Sequence, residues 1–164
     1  MRQLSIVAVT TCVVLVFGTT VHAQQPAPLP EYGPTVTLEQ AMKAANAALA
    51  EAKKLNVVEA ITIVDNGGRL VYFIKMDDLR QIGIDLSQGK ARTSAITKLP
   101  SKAYEDRVAS GGAGLTALSF GITAAGGGLP IIMNGKMIGA IGVGGGPSGV
   151  IDTQVAQAGL DALK

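Results

Sequence analysis

The stretch Gly126–Gly146, GGGLPIIMNGKMIGAIGVGGG, decides the fold because two apolar runs in it flank the dipeptide Asn134-Gly135. Asn-Gly readily adopts the positive φ angles of a type I′ turn, so the stretch predicts a β-hairpin. Glycines inside a strand often mark places where another group approaches the backbone closely. Gly139 and Gly142 in the second run therefore raise the question of what approaches them.

The end of this stretch also has the spacing of a nucleotide-binding loop. Gly144–Gly149 fits G-x-G-x-x-G, but 15 residues follow it, too few for the second strand and the acidic residue of a dinucleotide site. No Gly-Lys pair is followed by Ser or Thr, which excludes a Walker loop. These glycines therefore predict a strand-to-helix turn.

Upstream, Ala60–Asp77 (AITIVDNGGRLVYFIKMD) predicts another hairpin, with Asn66-Gly67 favouring a type I′ turn. A helix is expected before it, since Thr37 and Gln40 have capping-box spacing. Helices are also expected between the hairpins and at the end. This order predicts the α/β (α+β) class: a three-layer α/β/α domain with a central antiparallel sheet built from two hairpins. The first and last helices are expected on one face and the middle helices on the other.

The middle helix, expected over Gln88–Lys98, carries the most informative charges. Asp85 or Ser87 is expected to cap it, which places Lys90 and Arg92 near its N-terminus. The helix dipole disfavours cations there, so either solvent or an anionic ligand is expected to compensate them.

Residues 1–23 have the pattern of a secretory signal peptide, with an apolar run over Ile6–Phe17 and small residues before Gln24. The run is shorter than the roughly 20 residues that span a bilayer, so we expect cleavage, no stable membrane span and a periplasmic or secreted location. Residues 24–35 are rich in proline and predict a flexible arm. Residues 36–164 are expected to form the domain.

Cleavage removes Cys12 and His22, which are the only cysteine and histidine of the chain. Disulfides, thiolate nucleophiles, Cys/His zinc sites and Ser-His-Asp triads are then excluded. The 14 Lys and Arg residues nearly balance the 12 Asp and Glu residues and are scattered, so no nucleic-acid partner is expected. No paired-carboxylate motif organises the remaining groups, which favours binding over catalysis.

Five segments, taken in order, resemble the GlcG/HbpS-like family: TLEQAMKAANAALAEAK, IVDNGGRLVYFIKMDD, KARTSA, GGGLPIIMNGKMIGAIGVGGG and DTQVAQAGLDAL. The resemblance runs from about Val36 to Leu163. The family includes the glycolate-operon GlcG proteins, the secreted haem-binding HbpS proteins and the C-terminal domain of PduO. The resemblance implies a profilin-like α/β/α fold, assembly into homo-oligomers and, in some members, haem binding.

Haem is therefore the leading expected ligand, and a mature chain without histidine must offer iron another donor. The candidate ligands or face contacts are Tyr72, Met76, Tyr104, Met133 and Met137, and Met76 or Tyr104 is the expected metal ligand if haem binds. The expected ligand-binding residues are Met76, Lys90, Arg92, Tyr104, Gly126, Gly127 and Gly128. Of these, Lys90 and Arg92 belong to the family-like KART segment and would hold the propionates.

Two alternatives stay open. The first is a binder or enzyme for a small organic acid or anion, held by Lys90 and the glycines at 126–128. The second is a structural module that acts by binding partner proteins.

Overall fold

The computed structural model describes residues 28–164, so the signal peptide predicted over residues 1–23 lies outside the described part. The observed order confirms the predicted α+β class, with one short strand added in front. The elements are β1 (Glu31–Tyr32), α1 (Leu38–Lys54), β2 (Ala60–Asp65), β3 (Leu70–Lys75), α2 (Gln81–Thr97), α3 (Lys102–Ala109), a 3₁₀ helix (Gly112–Phe120), β4 (Gly128–Met133), β5 (Lys136–Gly144) and α4 (Gly149–Asp161). Within residues 28–164, no helix is both long and apolar enough to cross a membrane.

The two hairpins join into one antiparallel sheet in which β5 lies between β2 and β4 and pairs with both. β3 pairs with the other edge of β2. β1 runs parallel to the start of β5, with Tyr32 opposite Met137. The Gly33 N–H donates to the Met137 carbonyl at 2.8 Å, so the arm predicted over residues 24–35 contributes a strand to the sheet.

The two hairpins turn differently. Asn134 (φ +50°) and Gly135 (φ +74°) both have positive φ, which agrees with the type I′ turn predicted there. In the first hairpin the positive φ falls on Gly68 (+80°) instead of Asn66, so the type I′ prediction is wrong. The cause is Asp65, whose Oδ1 accepts the backbone N–H groups of Gly67 and Arg69, on either side of Gly68, at 2.8 Å each.

The helices cover both faces of the sheet, as predicted. α1 and α4 share one core with Ile61 and Ile141, whereas Ala91 of α2 packs on the other face. α1 begins with the predicted capping box, in which the side chains of Thr37 and Gln40 each accept the other's backbone N–H. Its buried residues are all alanines, so the helix lies close to its neighbours.

α2 begins at Gln81, and the predicted cap at Asp85 or Ser87 is therefore wrong. Both residues lie inside the helix. The Ser87 hydroxyl donates to the Ile84 carbonyl, one turn earlier, at 2.8 Å instead of capping the helix. Lys90 and Arg92 consequently lie in the second half of α2, away from the positive end of the helix dipole.

A glycine in β5 lets α2 lie directly on the strand. A methyl group added at Gly142 would collide with the carbonyl oxygen of Ser87 and the backbone nitrogen of Ala91. The group that approaches this part of the glycine-rich strand is therefore a helix of the same chain.

Candidate functional site

A buried lysine is the centre of a polar cluster between α2, β5 and α4. Lys90 is 2% exposed, and its Nζ donates to Asp152 Oδ2 at 2.5 Å and to the Val143 carbonyl at 3.0 Å. Asp152 is buried in the first turn of α4, where the helix dipole favours its negative charge. Solvent or an anionic ligand was expected to compensate Lys90, but the structure places the carboxylate of Asp152 beside its ammonium instead.

A second carboxyl group completes this cluster. Glu59 precedes β2, is fully buried, and accepts the Gly146 N–H through Oε2 at 2.9 Å. Burial, together with the adjacent charge of Asp152, raises the pKa of Glu59 to about 8. Glu59 is therefore protonated at neutral pH, and the cluster holds one cation, one anion and one neutral acid.

The remaining oxygens of the two carboxyl groups meet beside Gly146. Among the described residues, neither Glu59 Oε1 nor Asp152 Oδ1 has a donor of its own. A methyl group added at Gly146 would overlap Glu59 Oε1 and lie 2.6 Å from Asp152 Oδ1. A proton on Glu59 would give both oxygens a partner, because a carboxylic acid donates a strong hydrogen bond to a carboxylate, and such a bond to Asp152 contributes to the raised pKa of Glu59.

Two of the predicted glycines enclose the cluster from the side of β4. A methyl group added at Gly127 would lie 2.7 Å from Asp152 Cβ and 3.1 Å from Lys90 Nζ. One added at Gly128 would collide with the Lys90 carbonyl oxygen. The structure thus brings Lys90, Gly127 and Gly128 together, and the groups closest to these glycines are parts of the same chain.

The other predicted residues lie apart from this cluster. Arg92 lines a cleft between α2 and the hairpin formed by β2 and β3. Met76 packs on the opposite face of the sheet, in the core that α1 covers. Tyr104 lies on α3, where the guanidinium of Arg107 is 4.7 Å from the centroid of its ring. Gly126 donates its N–H to Oε2 of Glu105, the residue after Tyr104 in α3, at 2.6 Å.

Clefts flank Met133 at the end of β4. One of about 520 Å³ is lined by Pro130, Ile131, Ile132, Met133, Asn134, Gln157, Leu160, Leu163 and Lys164. Another of about 340 Å³ is lined by Pro34, Thr35, Thr37, Gln40, Met133, Asn134, Lys136 and Ile138. Both volumes lie within the roughly 300–1,000 Å³ of small-molecule sites. Met133 is thus a thioether shared by two clefts, and its Sδ accepts a hydrogen bond from Gln40 Nε2 at 3.4 Å.

Sequence reasoning missed Glu59 and assigned no role to Asp152. The sequence could have indicated Glu59, because it is a single carboxylate within the apolar run VVEAITIV. A glutamate buried in such a run needs polar or charged partners. Asp152 follows Ser148, whose hydroxyl accepts the Ile151 N–H and caps α4. An acidic residue in the first turn of a capped helix is common, so its local pattern indicated nothing beyond helix stability.

Comparison with known proteins gives a consistent result. The family described as "Haem degrading protein HbpS-like" matches residues 36–161. Protein GlcG of Escherichia coli strain K12 is 38% identical over 93 residues, which are 57% of this chain and 69% of GlcG. The crystal structure of HbpS has a TM-score of 0.74 and 30% identity, covering 80% of this chain and 92% of HbpS. The crystal structure of the PduOC:haem complex has a TM-score of 0.71 and 28% identity, covering 78% and 94%.

Proposed function

Because this chain belongs to the HbpS-like family, as its resemblance to GlcG and HbpS indicated, we propose that it is a small-molecule-binding protein whose ligand is haem. A relative of the same fold, PduOC, has been crystallised with haem. The observation in this chain that carries the proposal is the pair of clefts that share the Met133 thioether.

The residues of these clefts fit the chemistry of haem. Haem needs apolar cover, a donor atom for iron and cations for its propionates, and methionine is an axial ligand in cytochromes. Apolar side chains of β4 and α4 supply the walls around Met133. Lys136 and Lys164 lie at the two clefts, and their partners, Glu31 and Asp161, are exposed. Such pairs contribute little, so either lysine can bind a propionate instead.

The residues predicted from the sequence fit haem less well. Met76 lines one cleft of about 310 Å³, and its Sδ accepts a backbone N–H, that of Glu59, at 3.4 Å. The donor to the Met133 Sδ is instead the side-chain amide of Gln40, which can rotate away from the sulfur. The guanidinium of Arg107 covers one face of the Tyr104 ring. Asp152 binds the ammonium of Lys90, which removes the main support for a propionate or an organic anion at that lysine.

Bound haem would supply an iron centre for ligand binding or electron transfer. The role of this chain would be to hold that centre, with Met133 as the donor atom for iron and the side chains of β4 and α4 excluding water. We propose binding rather than degradation, since the supporting observations concern groups that hold the ligand.

We also propose that the protein works outside the cytoplasm as a homo-oligomer. The signal-peptide pattern of residues 1–23 supports export. The family resemblance implies homo-oligomers, and the apolar side chains of Leu70, Phe120 and Val150, at 59%, 71% and 72% exposure, are available for contacts between copies. Cell fractionation with N-terminal sequencing tests the first statement, and the mass of the intact assembly tests the second.

Hemin titration followed by the Soret band tests haem binding. We expect saturable binding with one hemin per chain, and a weakening of about tenfold or more with a shifted band in Met133→Leu. Met76→Leu is the matched control, since it makes the same change at another partly buried methionine. An unchanged Soret band at stoichiometric hemin would overturn the proposal. Loss of binding in Met76→Leu alone would move the site to Met76.

A further inference from the structure

We propose that Glu59, Asp152 and Lys90 form a proton-operated latch, which holds the turn between β5 and α4 closed while Glu59 carries a proton. The turn, residues 145–148, opens when that proton is lost. This inference is independent of haem binding.

The cluster joins four parts of the fold. Glu59 precedes β2, Lys90 comes from α2, Asp152 begins α4, and Gly146 lies in the turn between β5 and α4. Glu59 Oε2 holds the turn through the Gly146 N–H at 2.9 Å. Lys90 Nζ holds both sides of it, through the Val143 carbonyl at 3.0 Å and Asp152 at 2.5 Å. The contacts on both sides of the turn therefore depend on one buried cluster.

The proton is required because two carboxyl oxygens meet without a donor between them. Glu59 Oε1 and Asp152 Oδ1 are buried and lie beside Gly146, and the Lys90 ammonium contacts the other oxygen of Asp152. If both carboxyl groups are ionised, two anions face one cation in a site closed to water. With the proton on Glu59, the charges balance and the two oxygens form a hydrogen bond.

The charged groups around Glu59 set the pH at which the latch opens. Asp152 from α4 disfavours ionisation of Glu59, whereas Lys90 from α2 and the Gly146 N–H favour it. Arg80 reaches the turn from outside, where its Nη2 donates to the Gly145 carbonyl at 3.3 Å. From the end of β3, Met76 contributes an uncharged sulfur. Burial has the largest effect, and the resulting pKa of Glu59 is about 8.

The direction of the pH effect follows from this raised pKa. Glu59 has an ordinary pKa of 4.5 in the unfolded chain and about 8 in the fold, so the folded state binds more protons between these values. The stabilisation from the latch is complete below the ordinary pKa, declines as the pH rises, and is lost above about pH 8. The turn is therefore closed in neutral and acidic solution and opens in alkaline solution.

Hydrogen exchange of the mature protein at several pH values tests the latch. After correction for the intrinsic exchange rate, protection of the Gly146 amide should fall by up to about tenfold per pH unit as the pH rises from 4.5 to 8, and should level off above pH 8. The core amides of β2 are the internal reference. Glu59→Gln keeps a neutral donor at this position, and we expect its protection to be independent of pH. Protection in the unsubstituted protein that does not change with pH, or an equal loss in Glu59→Gln, would overturn the latch.

A second measurement needs no variant. The side-chain carboxyl carbon of Glu59, followed by NMR in the ¹³C-labelled protein, should titrate near pH 8, which supports the latch. Titration near the ordinary value for a glutamate would overturn it, whether or not Glu59→Gln folds.

Discussion

Replacing Lys90 with methionine tests whether the buried ion pair stabilises this fold. Lys90→Met keeps an unbranched apolar side chain but removes the ammonium that lies 2.5 Å from Asp152 Oδ2 and 3.0 Å from the Val143 carbonyl. Asp152, 3% exposed, would then be a buried carboxylate without a cation. Breaking a buried pair in this way costs about 3–5 kcal/mol. For a domain of this size, we expect Tm to fall by roughly 10–20 °C.

Denaturant unfolding at pH 7, followed by circular dichroism, measures this cost. Lys136→Met is the matched control, because its ammonium is exposed and lies 3.9 Å from the exposed Glu31 carboxylate. We expect that control to change stability by less than about 1 kcal/mol. Adding Asp152→Asn to Lys90→Met removes the unpaired charge and should restore about 1–3 kcal/mol. Equal unfolding midpoints and slopes for Lys90→Met and Lys136→Met would refute the reasoning.

Three further predictions concern stability. Gly142→Ala should lower the free energy of unfolding by about 1–3 kcal/mol, because its methyl group would push α2 away from β5. Gly67→Ala, in an exposed turn, is the control and should change it by about 0.5 kcal/mol or less. Equal unfolding midpoints for the two variants would contradict this reasoning. Thr37→Ala should cost about 1 kcal/mol through loss of the α1 cap, measured by the same unfolding, and no cost would argue against that cap. Between pH 4.5 and 8, the free energy of unfolding of the unsubstituted protein should fall with rising pH, by about 3–5 kcal/mol more than that of Glu59→Gln. Parallel pH profiles for the two proteins would contradict the raised pKa of Glu59.

Much of the fold was predictable because its signals are local. Asn134-Gly135 specifies its turn with two adjacent residues, and Thr37 specifies the start of α1 through a residue three positions on. The first hairpin shows where local signals conflict. Its turn contains Asn66, Gly67 and Gly68 in succession, and the Asp65 carboxylate, rather than the Asn-Gly pair, determines which residue takes the positive φ.

The polar cluster was only partly predictable. Lys90 could be singled out by its segment, but its partner Asp152 lies 62 residues away across the sheet, and no local pattern encodes such a contact. The state of Glu59 depends on burial, which the sequence does not display residue by residue. A glycine in a strand likewise predicts a close approach without identifying the group, and at Gly142 that group is α2.

The ligand clefts depend on tertiary packing even more strongly. Met133 and Met76 have similar surroundings in the sequence, since each lies at the end of an apolar strand run. What distinguishes them is which elements pack beside them. α4 and the segment before α1 leave clefts on both sides of Met133, whose Sδ accepts only a side-chain N–H among the described residues, that of Gln40. Met76 lines a single smaller cleft, and its Sδ accepts the backbone N–H of Glu59.

Haem binding beside Met133 can be observed by NMR of the protein labelled with ¹³C at the methionine methyl groups. One equivalent of ferric hemin should shift or broaden the Met133 signal most strongly, because the paramagnetic iron lies next to that sulfur. Met137 is fully buried in the core on the α2 face and should keep its signal, as should Met76. An unchanged Met133 signal, with Met76 broadened or with no methionine affected, would contradict haem binding at this site.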